Sequence, residues 1–315
     1  MEFIRANQVD ANTLNSNIFD IFIVAAGYEK RCTYLLENYN ISAAKKVAIA
    51  FDEKSNELHR RKNNRILKDN GFTFIQIAGS ERDSLGSYLE EHVFTPGSKN
   101  LRILIDYSCM TKLWYSTIIN YFVEEEDHYD SVNAFFSYTP AKFSLPKKSK
   151  SPKKVESINI GTKRFDPAKP TALVIGLGYE KGRAEYIKRK VKPDLTCLMY
   201  ADPAPDNQYV ECVFKMNQDI MNEIDVRNLY NYPLNEISRI NQQLTNLCLD
   251  LRLKYNVILA PLGPKVHALS CILLSTRYPD VDVWRISAGS GEPLYDRIAG
   301  SEPIVLEVGF AGDDE

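Results

Sequence analysis

Two short loops carry the residues best suited to chemistry. Gly27-Tyr28-Glu29-Lys30-Arg31 and Gly178-Tyr179-Glu180-Lys181-Gly182-Arg183 share four identities in a row, and the second inserts one glycine before its arginine. Glycine lets backbone approach a ligand closely, and a loop entering a helix offers free N–H groups to an anion. Arg31 and Arg183 add a planar fork suited to phosphate. Glu29 or Glu180 could serve as acid or base, and Tyr28 and Tyr179 could stack on a base or pack on the following helix. A second loop pair is Tyr107-Ser108-Cys109-Met110-Thr111-Lys112 and Pro261-Leu262-Gly263-Pro264-Lys265. Small or hydroxyl residues (Ser108, Thr111, Gly263) with a lysine (Lys112, Lys265) at a helix start make a phosphate cradle in several folds. The plainer alternative for both pairs is a tight turn in which Glu or Thr caps a helix.

Other candidates are less specific. Asp52 and Asp202 end matching strands and could meet a ribose hydroxyl or simply sit in turns. His267 lies two residues past Lys265 and could assist catalysis, but Trp114 holds its place in the first copy. Cys109 could be a nucleophile, though no histidine is near it in sequence. The four histidines (His59, His92, His128, His267) lie far apart and the six cysteines form no C-x-x-C pair, so no metal site is expected. Neither glycine loop satisfies G-x-G-x-x-G, and G-x-x-x-x-G-K-[ST], G-x-S-x-G and H-E-x-x-H are absent. The sequence implies no cofactor.

The elements that must position these residues follow from hydropathy. Residues 18–26 form a continuous apolar run broken by one aspartate, the pattern of a strand buried on both faces. Further strands are expected at 47–51, 72–77, 101–106 and 132–138, separated by helices over 29–40, 56–70 (closed by Gly71), 84–93 and 111–126. The series then restarts with strands at 171–177, 195–202, 255–260 and 281–286. The two glycine loops lie 151 residues apart, the strand-end acids Asp52 and Asp202 150 apart, and Lys112 and Lys265 153 apart. Matched landmarks at a nearly constant offset point to duplication of a domain, since solenoid units repeat every ~20–50 residues. The expected fold is α/β: two tandem Rossmann-like three-layer domains with mainly parallel sheets, with copy 1 over residues 1–145 and copy 2 over 170–315.

Residues 146–169 interrupt the pattern, and 147–154 are basic and proline-punctuated. This stretch reads as a solvated connection, or as a basic loop meeting phosphate or nucleic acid. The net charge of −2 leaves no global attraction for nucleic acid or anionic membrane. No apolar run approaches the roughly 18–20 residues of a membrane span. No secretory leader is evident either, so a cytoplasmic, reduced protein is expected.

Asp106-Tyr107-Ser108-Cys109-Met110-Thr111-Lys112, after a fourth strand, resembles the Asp-x-Thr-Gly-Gly-Thr-Lys stretch of CRISPR-associated Rossmann-fold (CARF) domains; Cys109-Met110 replace the two glycines. In that family this loop and the loop after the first strand bind cyclic oligoadenylates on a dimer axis, and the related SAVED domains fuse two units in one chain. The resemblance implies a nucleotide-binding sensor or accessory protein of prokaryotic anti-phage defence, with a cyclic or phosphorylated nucleotide held between the two copies. Its ligand residues would be Gly27, Tyr28, Glu29, Arg31, Asp106, Ser108, Thr111, Lys112, Gly178, Tyr179, Glu180, Arg183, Gly263 and Lys265. If the ligand is cleaved, Lys112, Ser108 and Glu29 are the catalytic candidates. Two other classes stay open: an enzyme acting on a nucleotide or phosphorylated metabolite, and a protein-interaction subunit of a defence complex. The implied partners are a nucleotide and a separate effector or defence-complex protein.

Overall fold

Parallel strands need both faces covered, and the alternation of apolar runs with amphipathic stretches supplies that cover. The computed structural model describes residues 1–94, 99–124, 129–147, 154–158, 165–287 and 294–312. Two compact units emerge, one comprising Met1–Lys142 with Tyr295–Glu315, the other Phe143–Leu294.

The first unit runs β1 (Glu2–Val9), α1 (Thr13–Ser16), β2 (Ile18–Ala26), a 3-10 turn Lys30–Thr33 leading into α2 (Tyr34–Asn38), β3 (Ser42–Phe51), α3 (Arg60–Asp69) and β4 (Thr73–Ile77). It continues through α4 (Asp83–Tyr88), β5 (Asn100–Asp106), α5 (Lys112–Glu124) and β6 (Ser131–Tyr138). The second unit contains β7 (Lys154–Ser157), β8 (Thr171–Gly176), α6 (Arg183–Val191), β9 (Leu195–Ala201), α7 (Asn207–Glu223), β10 (Leu229–Tyr232), α8 (Ile237–Arg252), β11 (Asn256–Pro261), α9 (Lys265–Arg277) and β12 (Val281–Ser287). The chain then returns to the first unit with β13 (Ile304–Ala311).

Among the described residues the first sheet has seven strands, ordered β1-β13-β6-β5-β2-β3-β4, and the second six, ordered β10-β9-β8-β11-β12-β7. In each, five consecutive neighbours are parallel and the strand beyond them is antiparallel: β13 on β6, β7 on β12. Superposing the orders equates β2 with β8, β3 with β9, β4 with β10, β5 with β11 and β6 with β12. Both units are Rossmann-like three-layer α/β domains. The strands that carry the two loop pairs are the central neighbours β2–β5 and β8–β11.

The core follows the same logic. Phe22, Val24 and Ala26 of β2 pack with Ala48, Ala50 and Leu104, while Leu173 and Ile175 of β8 pack with Leu198, Ile258 and Ala260. Such a buried aliphatic side chain contributes about 1.5–3 kcal/mol. Gly71 closes α3 at φ +81°, the left-handed geometry expected of it.

Two boundaries differ from expectation. Residues 304–311, expected in copy 2, lie between β1 and β6 in the first sheet. Residues 154–157, expected inside the connection, form β7 and pair with β12. Both antiparallel strands cover the exposed side of a fifth parallel strand, which would otherwise present unpaired N–H and C=O groups. Of the basic stretch 147–154, residues 148–153 lie outside the described residues. Lys147 Nζ donates to Leu294 O at 2.6 Å, and Lys154 pairs with Glu156. His128 also lies outside them.

Candidate functional site

The order of each sheet reverses between its first and fourth parallel strands, so the crevice beyond β2 and β5, or β8 and β11, is the position where open α/β sheets take ligands. The two expected loop pairs occupy those positions. What their side chains do there is more specific than the sequence suggested.

In the first unit, Gly27 is buried, and a Cβ built on it would stand 3.0 Å from the Cys109 Cβ. The glycine is therefore required for the first loop to touch the second. Asn63 of α3, itself buried, donates its side-chain amide to Gly27 O at 3.0 Å and to Glu29 O at 2.9 Å. Arg31 is turned inward and only 4% exposed. Its Nε donates to Glu29 Oε2 at 2.7 Å, one terminal nitrogen to Ser108 O at 3.0 Å and the other to Thr139 O. Its guanidinium also lies 5.4 Å from the Tyr138 ring centre. Burial works against the charge of Arg31, yet Glu29, Tyr138 and Cys109 together outweigh it and raise the guanidinium well above its ordinary range. Arg31 thus pins three chain segments together, and the expected phosphate fork is not what it presents.

Ser108 is likewise buried. Its hydroxyl accepts from Thr139 N at 2.8 Å, and its own N–H donates to Asp106 Oδ1 at 3.0 Å. Asp106 and Ser108 shape the loop from beneath. Thr111 Oγ1 accepts from Trp114 N at 3.2 Å, so Thr111 caps α5, as the plainer reading allowed. Lys112, half-buried, opens that helix. The neighbouring Cys32, burial and the nearby Glu29 carboxylate push the Cys109 thiol well up, which makes it a slow nucleophile.

In the second unit the loops meet backbone to backbone. A Cβ on Gly178 would stand 2.5 Å from Leu262 O, and one on Gly263 would stand 2.3 Å from Leu177 O. These glycines serve loop–loop contact. Buried Asn217 of α7 donates to Gly178 O at 2.7 Å, the same hold that Asn63 has on Gly27. Arg183 is buried beside Glu180, 2.8 Å away. Lys265 is half-buried at the start of α9. His267 packs on Gly176, where a Cβ would meet its ring at 2.4 Å, and stacks on Tyr232 at 5.3 Å. It is a core residue and takes the role Trp114 plays against Phe51.

The outward groups are therefore few. Tyr28 is half-buried beneath Lys54 Nζ, 5.1 Å from its ring centre, and Lys30 is exposed. Tyr179 sits with Phe143 and Tyr209 in a half-buried aromatic trio (centroids 6.5 and 5.7 Å from Tyr179), beside exposed Lys181. Asp52 is exposed and Asp202 half-buried, each at its strand's end. Among the described residues no group of three or more His, Cys, Asp and Glu side chains could hold a metal ion, and no helix is long and apolar enough to cross a membrane.

Two features escaped the sequence reading. Asn63 and Asn217 lie 154 residues apart, matching the duplication offset, but an amide inside a helix carries no signal without that register. The second is a strap from the chain's far end. Asp296 Oδ1 accepts from Lys30 N at 3.1 Å while its Oδ2 meets His59 Nε2 at 3.0 Å, and Arg297 Nε lies 3.9 Å from Glu29 Oε1. Contacts spanning more than 230 residues have no local sequence signature. Compared with models of known protein families the chain matches none, and a comparison with curated proteins finds no significant match.

Proposed function

We propose that this protein binds a phosphorylated nucleotide at the C-terminal strand edge of its Rossmann-like units and acts as a nucleotide sensor or accessory protein in prokaryotic anti-phage defence, in the manner its CARF-like motif implies. The observation that carries the reading is the repetition of one loop architecture at both switch points. In each unit a Gly-Tyr-Glu-Lys loop is pinned by a helix asparagine and a buried Glu–Arg pair, opposite a loop that ends in a lysine at a helix start. By chemical type, Tyr28, Lys30 and Lys112 in one unit, and Tyr179, Lys181 and Lys265 in the other, are the groups suited to a base and a phosphate. Lysine supplies charge to phosphate, and a tyrosine face can stack on a base.

An enzymatic reading, in which the nucleotide is turned over, has one observation in its favour. His59 is held through Nε2 by Asp296, an arrangement that orients an imidazole for proton transfer. A panel of cyclic and linear oligoadenylates, mononucleotides and sugar phosphates separates the two. A sensor gains thermal stability, by about 2.7 kcal/mol at a hundred times Kd, and returns the ligand intact. An enzyme converts it, and His59→Ala stops the conversion. If no compound moves the melting temperature, or if Lys112→Ala and Lys265→Ala together leave the shift unchanged, the binding reading fails.

A further inference from the structure

The two loops of the first unit meet through a pair of thiols. A Cβ placed on Gly27 would lie 3.4 Å from Cys109 Sγ and 3.8 Å from Cys32 Sγ, so both sulfurs converge on the same glycine. Cys32 Sγ accepts the Gly27 N–H at 3.2 Å and donates to Ala25 O at 3.1 Å, while Cys109 Sγ lies 3.7 Å from Glu29 Oε2. Cys32 is also the largest influence on the Cys109 thiol, raising it. Both cysteines are free, Cys32 buried and Cys109 half-buried. They come from different loops, one after β2 and one after β5. The second unit has no such pair: Ala184 follows its loop arginine where Cys32 follows Arg31, and its loops touch through glycine backbone instead.

We propose that Cys32 and Cys109 are a modification site, a thiol pair that a two-electron oxidant closes into a reversible disulfide joining the two switch-point loops of the first unit. With hydrogen peroxide as oxidant, the half-buried Cys109 sulfur attacks one peroxide oxygen and the O–O bond breaks. The departing hydroxide takes the thiol proton as water, leaving Cys109 as a sulfenic acid. Cys32 sulfur then attacks Cys109 sulfur; the S–S bond forms, the S–O bond breaks, and hydroxide leaves with the Cys32 proton as a second water. Two thiols lose two electrons and one peroxide becomes two waters. Closure requires side-chain rotation that brings the sulfurs to about 2.05 Å and the Cβ atoms to about 3.5–4.5 Å. The raised thiol of Cys109 slows the first step.

The clasp does not depend on nucleotide binding and is tested without it. The folded full-length chain is treated with hydrogen peroxide, free thiols are blocked by alkylation, and the digest is mapped with and without dithiothreitol. The expected result is a cross-linked peptide pair containing Cys32 and Cys109, lost on reduction, with Cys197, Cys212, Cys248 and Cys271 recovered alkylated once unfolded. Neither Cys32→Ala nor Cys109→Ala gives the cross-link. Should one of these variants fail to fold by circular dichroism, the other serves as the control. Oxidation of Cys109 to a sulfinic acid with Cys32 still alkylatable overturns the proposal. So does a cross-link that forms only after urea unfolding.

Discussion

Replacing Arg31 by methionine separates the role that residue type suggests from the role its surroundings impose. The side chains of Arg31 and Glu29 are 3% and 14% exposed, with Nε and Oε2 2.7 Å apart. Methionine keeps most of the volume and removes every donor. Among the described residues Glu29 then keeps the 3.9 Å contact with Arg297 and the 3.7 Å contact with Cys109, and the carbonyls of Ser108 and Thr139 lose the Arg31 donor. Breaking a buried ion pair from one side costs about 3–5 kcal/mol. With a urea m-value of ~1–3 kcal/mol/M, that is a fall of about 1–5 M in midpoint. The two tryptophans report the units separately, Trp114 in the first and Trp284 in the second, so a Trp284→Phe background lets fluorescence follow the first unit alone. Adding Glu29→Gln removes the stranded carboxylate, and the double variant is expected to recover part of the loss, a coupling on the order of 0.5–3 kcal/mol. A loss under ~1 kcal/mol, with nucleotide-dependent stabilisation abolished, would refute this reasoning and return Arg31 to the ligand.

Three further outcomes follow from the packing. Gly178→Ala drives a Cβ to 2.5 Å from a backbone carbonyl, which cannot rotate away; a cost of about 1–3 kcal/mol is expected, read as a lowered melting transition of the second unit. Asn63→Ala strips two carbonyls of a buried amide donor, a loss of about 1–3 kcal/mol in the first unit, and Asn217→Ala gives a comparable loss in the second; faster hydrogen exchange at residues 27–31 or 178–183 locates each effect. For Glu156, burial opposes ionisation, but hydrogen bonds from Lys154 and Arg285 outweigh it and hold the carboxyl below its usual range. Its contribution to stability is complete above the unfolded glutamate value of about 4.3 and is lost as pH falls through the lower folded value. Glu156→Gln should flatten that acid limb in denaturation midpoints measured from pH 6 downwards, while leaving the limb unchanged if the pairing carries no weight.

The residues differ in how much of this could be read in advance. Ile18–Ala26 announces a central parallel strand because it is apolar on both faces, and the repeated glycine and lysine loops fall at strand ends because hydropathy marks those ends. The strand Glu2–Val9 is invisible to the same logic: it is an edge strand whose residues are mostly exposed, so its sequence looks like a polar leader. Ile304–Ala311 is apolar enough to be a strand, yet its partners are set by chain return, which no local pattern encodes. The helix expected from residue 29 begins as a 3-10 turn, because Glu29 and Arg31 are committed to each other and to the neighbouring loops. Residue type suggested arginine forks and glycine cradles. Burial decided otherwise, turning both arginines inward and spending the glycines on loop contact.

The position of β13 also sets an order of assembly. It bridges β1 and β6, and Asn133 meets Glu307 across 174 residues of chain, so β1 has nothing to pair with until residues 304–311 have left the ribosome. The intervening segment holds every strand of the second sheet among the described residues and forms a compact unit of its own, Phe143–Leu294, so it can close first. The first unit must wait as a β2–β6 sheet with an open side strand, the state most exposed to wrong pairing. A nascent chain stalled in the second unit would therefore carry an unfinished first one, its side strands open to mispairing.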